Sequence, residues 1–493
     1  MAPRQRLGQS AESRLKPRPS SRLVDNSAQQ TGHANRRGGM NRKMTGAASL
    51  ALTRRGILKT GLGLGAVGLL TPLVTPRVWA KDYPEMGSFP AGVQGKSVFA
   101  AGVFPLTGPY AAMGHDEQRG FELAIDHLNN GSQFTQGIPS LKKGGGVLGK
   151  KVESGVADSE TKPNPAVQAA TRFIHENKAI VFTGAVSSSV AVALEEVGQR
   201  HKVICMCSTT ASNTTTGVSC QRFGFRLMPD NYMLAKAMAP VLAKQLGRNL
   251  KAAYLVPDYI FGTSLFSSLK AAFAPYGWTV ATEQLPPLGT TDFSSYLLNI
   301  ANSGADVMFN ETAGADSVTS TKQAIHFGIT TKMKYVIPLF SGFAGKELGT
   351  ELLAGKYGTE PWWWGMEEKY PQAKIFNADF HKKYGYMPRF PAANTYDSMM
   401  MWADAVERAG TFYPPEVIKA LESGHKVDTS RGEVYFRAGD HQGVSPVPVL
   451  QGNSKAEMKG SEDYFKIVGI VEGEQLMVPL DQSGCHMPSV EAA

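Results

Sequence analysis

Residues 179–212 read AIVFTGAVSSSVAVALEEVGQRHKVICMCSTTAS. "AIVFTGAV" is a short apolar run of strand length, "SSSVAVALEEVGQRH" is a helix with serines at its start, and "KVICMCSTTAS" is a second strand. A buried strand, a crossover helix and another buried strand make one βαβ unit and ask for a parallel sheet.

The same alternation runs outward in both directions. Upstream, "SVFAAGVFPLTG" is a strand entering a Gly/Pro turn. "HDEQRGFELAIDHLNN" places Phe121, Leu123, Ala124 and Leu128 at helical spacing and stops at Asn130-Gly131. "KKVESGVADSE" is a strand, and "PNPAVQAATRFIHEN" is a helix opened by proline. Downstream, "KAAYLVPD", "TVATEQLP", "ADVMFNET" and "KYVIPLFSG" are strands between further helical stretches. These are too many strands for one sheet. The fold class expected is α/β, with two doubly wound parallel-sheet lobes.

The first 80 residues read differently. Residues 1–39 are rich in Arg, Ser, Gln and Gly, a composition that buries too little apolar surface to order itself. Met40 opens a more ordinary leader. Residues 53–59, "TRRGILK", then precede a run from Gly61 to Leu70 that is apolar but diluted by four glycines. That run is far short of the ~20 residues that span a bilayer. With Arg77 and the small-residue end at Ala80 it has the layout of an export signal. The paired Arg54 and Arg55 before a hydrophobic residue and a lysine resemble the twin-arginine signal, with cleavage expected after Ala80.

Removing that leader changes the electrostatics. The formal charge is +9, but residues 1–80 carry 14 of the 51 basic and 2 of the 42 acidic residues. The remaining 413 residues have 37 basic against 40 acidic, a net −3. This argues against a nucleic-acid partner. Four cysteines are present: Cys205, Cys207, Cys220 and Cys485. An oxidising compartment permits disulfides. Cys207 and Cys220 flank a polar loop that is easy to close, so their pairing is expected about as readily as buried free thiols. No His or second Cys pair stands at ligand spacing, so no metal is expected. No nucleophile elbow, zinc-protease helix, Walker loop or dinucleotide fingerprint is present, so neither an enzyme nor a cofactor is expected.

Several segments, weak singly, are specific in their order. These are "FPLTGPYAAMGHDEQRGFELAIDHLN", "GAVSSSVAVAL", "STTASN" with "CQRFGFR", "TTDFSSYLLNIANSGADVMF", "KQAIHFGI", "AANTYDSMMMWADAVERAGT" and "RAGDHQGVSPV". Together they resemble the type I periplasmic solute-binding proteins of the branched-chain amino acid class, which feed ABC importers. The resemblance covers most of residues 96–480. It implies two α/β lobes joined by three hinge crossings, with lobe 1 at 96–226 and 363–443 and lobe 2 at 227–362 and 444–485. It also implies a periplasmic monomer that captures a small-molecule solute for an ABC permease in the inner membrane. A sensor with the same fold, signalling to a membrane receptor, is the alternative.

Ligands of open parallel sheets lie beyond the carboxyl ends of strands. Ser187, Ser188 and Ser189 stand there at a helix entry, where free N–H groups and hydroxyls suit a carboxylate. Thr209, Thr210 and Ser212 follow the next strand. The resemblance adds Met113, Val186 and Phe261 as contacts for the solute's body, with Tyr110 beside them and Thr312 reaching from lobe 2. "PWWW" falls at an interlobe crossing, where Trp364 is expected to wall the cleft. Amino-acid binders of this class use an acid within 335–342, but here the segment reads "YVIPLFSG", with Phe340 and Ser341 in its place. Glu311 and Asp316 are the nearest acids and are expected to be solvated. The ligand expected is therefore a small organic acid or amide with an apolar or aromatic body, with a branched-chain amino acid as rival.

Overall fold

The computed structural model describes residues 83–142 and 144–489, all within one compact unit. The expected signal residues Arg54, Arg55 and Ala80 lie outside the described residues. The chain first alternates β1 (Ser97–Phe104), α1 (Ala111–Asn130), α2 (Gln133–Gln136), β2 (Lys151–Asp158), α3 (Pro163–Glu176), β3 (Val181–Gly184), α4 (Ser188–His201), β4 (Ile204–Cys207) and β5 (Gly224–Arg226). These strands form one sheet in the order β2-β1-β3-β4-β5, and every pairing is parallel. Each residue of β3 and of β4 is buried, as parallel strands covered by helices on both faces require.

The chain then crosses into α5 (Asn231–Leu246), β6 (Lys251–Leu255), α6 (Ile260–Phe273), β7 (Thr279–Gln284), α7 (Ser294–Ala301), β8 (Val307–Asn310), α8 (Gly314–His326), α9 (Ile329–Lys332), β9 (Lys334–Leu339), α10 (Gly342–Leu353) and β10 (Tyr357–Thr359). It returns through α11 (Pro371–Tyr384), α12 (Phe390–Ala409), α13 (Pro414–Leu421), β11 (Val427–Thr429), β12 (Gly432–Phe436) and β13 (Gly443–Val444). A third crossing leads to β14 (Val447–Gly452), β15 (Phe465–Val471) and α14 (Leu480–Ser483). The second sheet has the order β15-β14-β10-β9-β8-β6-β7. Its strands β6 to β10 pair in parallel, while β14 and β15 add an antiparallel edge. The two doubly wound lobes read from the alternation are both present, and the antiparallel edge is an addition to them.

Buried charge ties the crossings together. Arg226, fully buried where β5 ends, donates from Nε to Gln442 Oε1 at 2.8 Å and pairs with Asp230 at 3.4 Å. The first crossing is thereby fastened to the third. At the second crossing the three tryptophans separate. Trp362 packs edge-on against Phe376 and donates to Ser430 O, whereas Trp363 meets Phe465 and donates to its carbonyl. Trp364 stays half-buried.

The expected Cys207–Cys220 pairing is corrected. Cys220 bonds Cys485, 265 residues away in sequence, with Cα atoms 5.6 Å apart. Cys205 and Cys207 are buried free thiols on β4. Cys207 sits beneath α4, with Sγ 4.0 Å from Ala191 O, and cannot swing out to the loop. The tail after β15 is thus stapled beside the 212–217 loop of lobe 1, and Arg222 Nε adds a bond to Pro488 O.

Candidate ligand-binding cleft

The strand ends of the two sheets converge on one interlobe cavity. Lobe 1 lines it with Tyr110, Met113, Val186, Thr209, Ala211 and Phe390. Met228, at the first crossing, joins Tyr259, Phe261, Ala313 and Leu339 from the other side. No charged side chain lines it. Its volume is about 10 Å³, room for roughly one water, so a larger solute must part the lobes or turn their rings. A larger cavity of about 510 Å³ lies on the outside of lobe 2 between α5, α6 and the stretch after β15. It is an open surface groove to which lobe 1 contributes nothing. The interlobe cavity is the better candidate because both lobes contribute and the loops after parallel strands form it.

The lobe 1 wall is set by backbone geometry. Gly184 ends β3 at φ 143°, and a Cβ there would lie 2.0 Å from Val103 O, so only glycine fits beside β1. Ala185 follows at φ 75°, a left-handed conformation uncommon outside glycine. That turn delivers Val186 to the cavity and Ser187 to the N-cap of α4. The Ser187 hydroxyl makes no capping bond, so the first-turn N–H groups are left for another acceptor. Ser188 looks inward: its Oγ accepts from Thr210 Oγ1 at 3.0 Å and from Ser212 N at 3.3 Å. Ser189 is half-buried in the first turn. Ser212 reaches lobe 2, its Oγ donating to Ile260 O at 3.1 Å.

The expected residues therefore divide. Tyr110, Met113, Val186, Thr209 and Phe261 come together at the cavity, with Ser187 adjoining. Ser188, Thr210 and Ser212 brace the loop behind it. Thr312 bonds Asn310 Oδ1 at 2.7 Å and Ser320 at 2.9 Å inside lobe 2. Phe340 stacks on Phe465 with centroids 4.5 Å apart, and its neighbour Leu339 lines the cavity instead. Trp364 lines a separate outer cavity with Trp363 and donates to Glu462 O. Tyr259, Ala211, Met228, Ala313 and Phe390 are lining residues that sequence reasoning passed over. For Phe390 no local signal existed. For Tyr259 the signal was its place beside Phe261 in the loop after β6.

The expectation that Glu311 and Asp316 are solvated is also corrected. Glu311 is fully buried at the end of β8 with neither carboxylate oxygen bonded, and burial raises its pKa well above the ordinary range. Asp316 is 5% exposed, accepts from Gly289 N at 2.8 Å, and is also raised by burial. A further acid stands behind lobe 1's wall. Glu117, one helical turn from Met113, accepts from Ser208 Oγ at 2.8 Å, and its Oε2 has no partner. Burial pushes that carboxyl up to about 8, against the opposing bond from Ser208.

Known proteins share this fold. The Leu/Ile/Val-binding protein homolog 7 of Brucella suis is 26% identical over 352 residues, covering 68% of this chain and 83% of that protein. A crystal structure of a periplasmic binding protein from Burkholderia mallei superimposes with a TM-score of 0.72 at 25% identity, covering 79% of this chain and 98% of that one. The structure of an amino acid ABC transporter substrate-binding protein from Pseudomonas fluorescens gives a TM-score of 0.70 at 24% identity, covering 80% and 99%. The family described as periplasmic binding protein matches residues 97–457. These relatives bind solutes and are not enzymes, and their class implies a periplasmic location. With its two parallel-sheet lobes closing on a shared cavity, the chain belongs to the periplasmic binding protein family.

Proposed function

We propose that this chain is the solute receptor of an ABC importer, taking a small organic acid or amide with an apolar or aromatic body and presenting it to a membrane permease. The observation that carries the reading is the composition of the cavity. Apolar side chains from both lobes surround it, no charged side chain lines it, its polar side chains are the hydroxyl-bearing Tyr110, Thr209 and Tyr259, and Val186 on its wall leads directly into the N-terminus of α4. A helix N-terminus favours a negative or carbonyl oxygen. An ammonium would meet no counter-charge on the wall, and burying one unpaired is costly. Closure by hinge rotation would follow differential affinity for the closed form.

A branched-chain amino acid is the second reading. It is favoured by the unpartnered Oε2 of Glu117 one layer behind Thr209, and by the name of the Brucella relatives. A thermal-shift screen separates the two. Benzoate and short-chain carboxylates are expected to raise the melting temperature more than L-leucine or L-valine. If leucine or valine stabilises the protein and the carboxylates do not, the ligand reading is wrong and the receptor reading stands. Export is proposed through Arg54 and Arg55. Replacing both with lysine should leave the precursor in the cytoplasm, and mass spectrometry of the periplasmic wild type should find Lys81 first.

A further inference from the structure

We propose that two turns facing each other across the cavity mouth form a latch that sets how long the cleft stays shut, with Tyr259 and Gly314 as its positioning residues. The turns are residues 108–110 of lobe 1 and 313–315 of lobe 2. The inference rests on the receptor reading and deepens it.

Three contacts converge there. The hydroxyls of Tyr110 and Tyr259 share a hydrogen bond of 2.5 Å across the lobes. Ala315 N donates to Pro109 O at 3.2 Å, joining the same two segments through their backbones. Gly314 sits between them at φ 59°, and a Cβ on it would stand 2.7 Å from both Pro109 O and the Tyr110 ring. Any side chain at 314 would therefore hold the turns apart. Tyr110 is 1% exposed and Tyr259 half-buried, so the hydroxyl bond is partly shielded from water and stronger for it. Burial, with the nearby Asp316 carboxylate adding to it, keeps both phenols protonated and able to donate.

The position gives these contacts leverage. The crossings meet the two large sheets at β5, β10 and β14, while the latch joins the ends of β1, β6 and β8. β1 lies three strand spacings from β5, about 14 Å at ~4.8 Å per spacing. A bond that far from the hinge resists opening more than one beside it. It need not touch the solute to slow the solute's escape.

The test uses the mature chain with benzoate and L-leucine as probes. Tyr259→Phe keeps the ring and removes the hydroxyl. Gly314→Asn adds a Cβ in a residue that tolerates the left-handed conformation. Stopped-flow kinetics should show dissociation about two- to tenfold faster for Tyr259→Phe, the loss expected for one hydrogen bond. Gly314→Asn should be faster still. Tyr110→Phe with Tyr259→Phe should cost no more than either alone, since they share one bond. Unchanged dissociation in Tyr259→Phe and Gly314→Asn, or additive losses in the tyrosine pair, would overturn the latch. Small-angle scattering supplies a readout independent of the probes. Gly314→Asn should be more expanded than wild type, with or without solute. If neither probe binds but that expansion is seen, the ligand reading fails and the latch stands; identical scattering in both proteins overturns it.

Discussion

Lobe 1 meets the cleft with the hydroxyls of Tyr110 and Thr209 among Met113, Val186, Ala211 and Phe390, and Val186 leads into the N-terminus of α4, whereas lobe 2 meets it with Phe261, Ala313, Leu339 and a single phenol. The difference begins in the loops. The loop after β3 turns through Gly184 and Ala185 in positive-φ conformations, and Ser188, Thr210 and Ser212 brace one another behind it. Lobe 2 spends its polar groups internally: Asn310 Nδ2 bonds Ser320, Thr321 and Tyr335, and Thr312 joins the same group. Lobe 1 carries two of the three lining hydroxyls, so it is the wall we propose for a polar head, with lobe 2 over the apolar body. Capture by lobe 1 followed by closure of lobe 2 is the order we propose from that division.

The harshest way to break the comparison is to place a charge on each wall. Met113→Asp and Leu339→Asp should each weaken binding more than a hundredfold, because an unpaired buried charge costs about 3–5 kcal/mol. Titration calorimetry reads it. If one of the two is tolerated, that wall does not face the solute. Next in size is the Cys220–Cys485 staple, which belongs to neither wall. Cys220→Ser with Cys485→Ser should cost about 2–5 kcal/mol in urea unfolding and leave affinity unchanged.

The walls were unequally legible in the sequence. The alternation that builds both sheets is written in short apolar runs, because each parallel strand is buried on two faces and must be apolar throughout. Val186 and the serines were legible because they adjoin such a strand. Leu339 and Phe340 show where reading stops: successive residues at a strand end face opposite sides, so one position separates a cleft residue from one stacked on Phe465. The tryptophan run follows the same rule, sending Trp362 and Trp363 to different partners. Phe390 and the Cys485 partner arrive from far along the chain, and no local pattern announces a long-range meeting.

Milder substitutions sharpen the comparison. Ser187→Ala and Thr209→Val should each weaken binding of a carboxylate by about 1.5–3 kcal/mol, the usual range for hydrogen bonds to a charged group. Thr210→Ala should act less, since its hydroxyl bonds Ser188 and does not line the cavity. A separate effect, on stability and not on affinity, is in its pH dependence. Glu117 and Glu195 are each raised by burial from 4.5 to about 8. The folded chain keeps those protons up to about pH 8, whereas the unfolded chain releases them above about 4.5. Stability should therefore fall as pH rises through that window. Glu117→Gln should flatten its share of the slope, and an unchanged slope in urea unfolding would show that Glu117 is already ionised.

The most direct measurement is a crystal structure of the mature chain grown with benzoate or whichever solute stabilises it most. The account predicts density between the lobes, with the polar head at Ser187 and Thr209 and the body against Phe261 and Leu339. Density confined to the outer groove between α5 and α6, or a head group turned towards lobe 2, would contradict it.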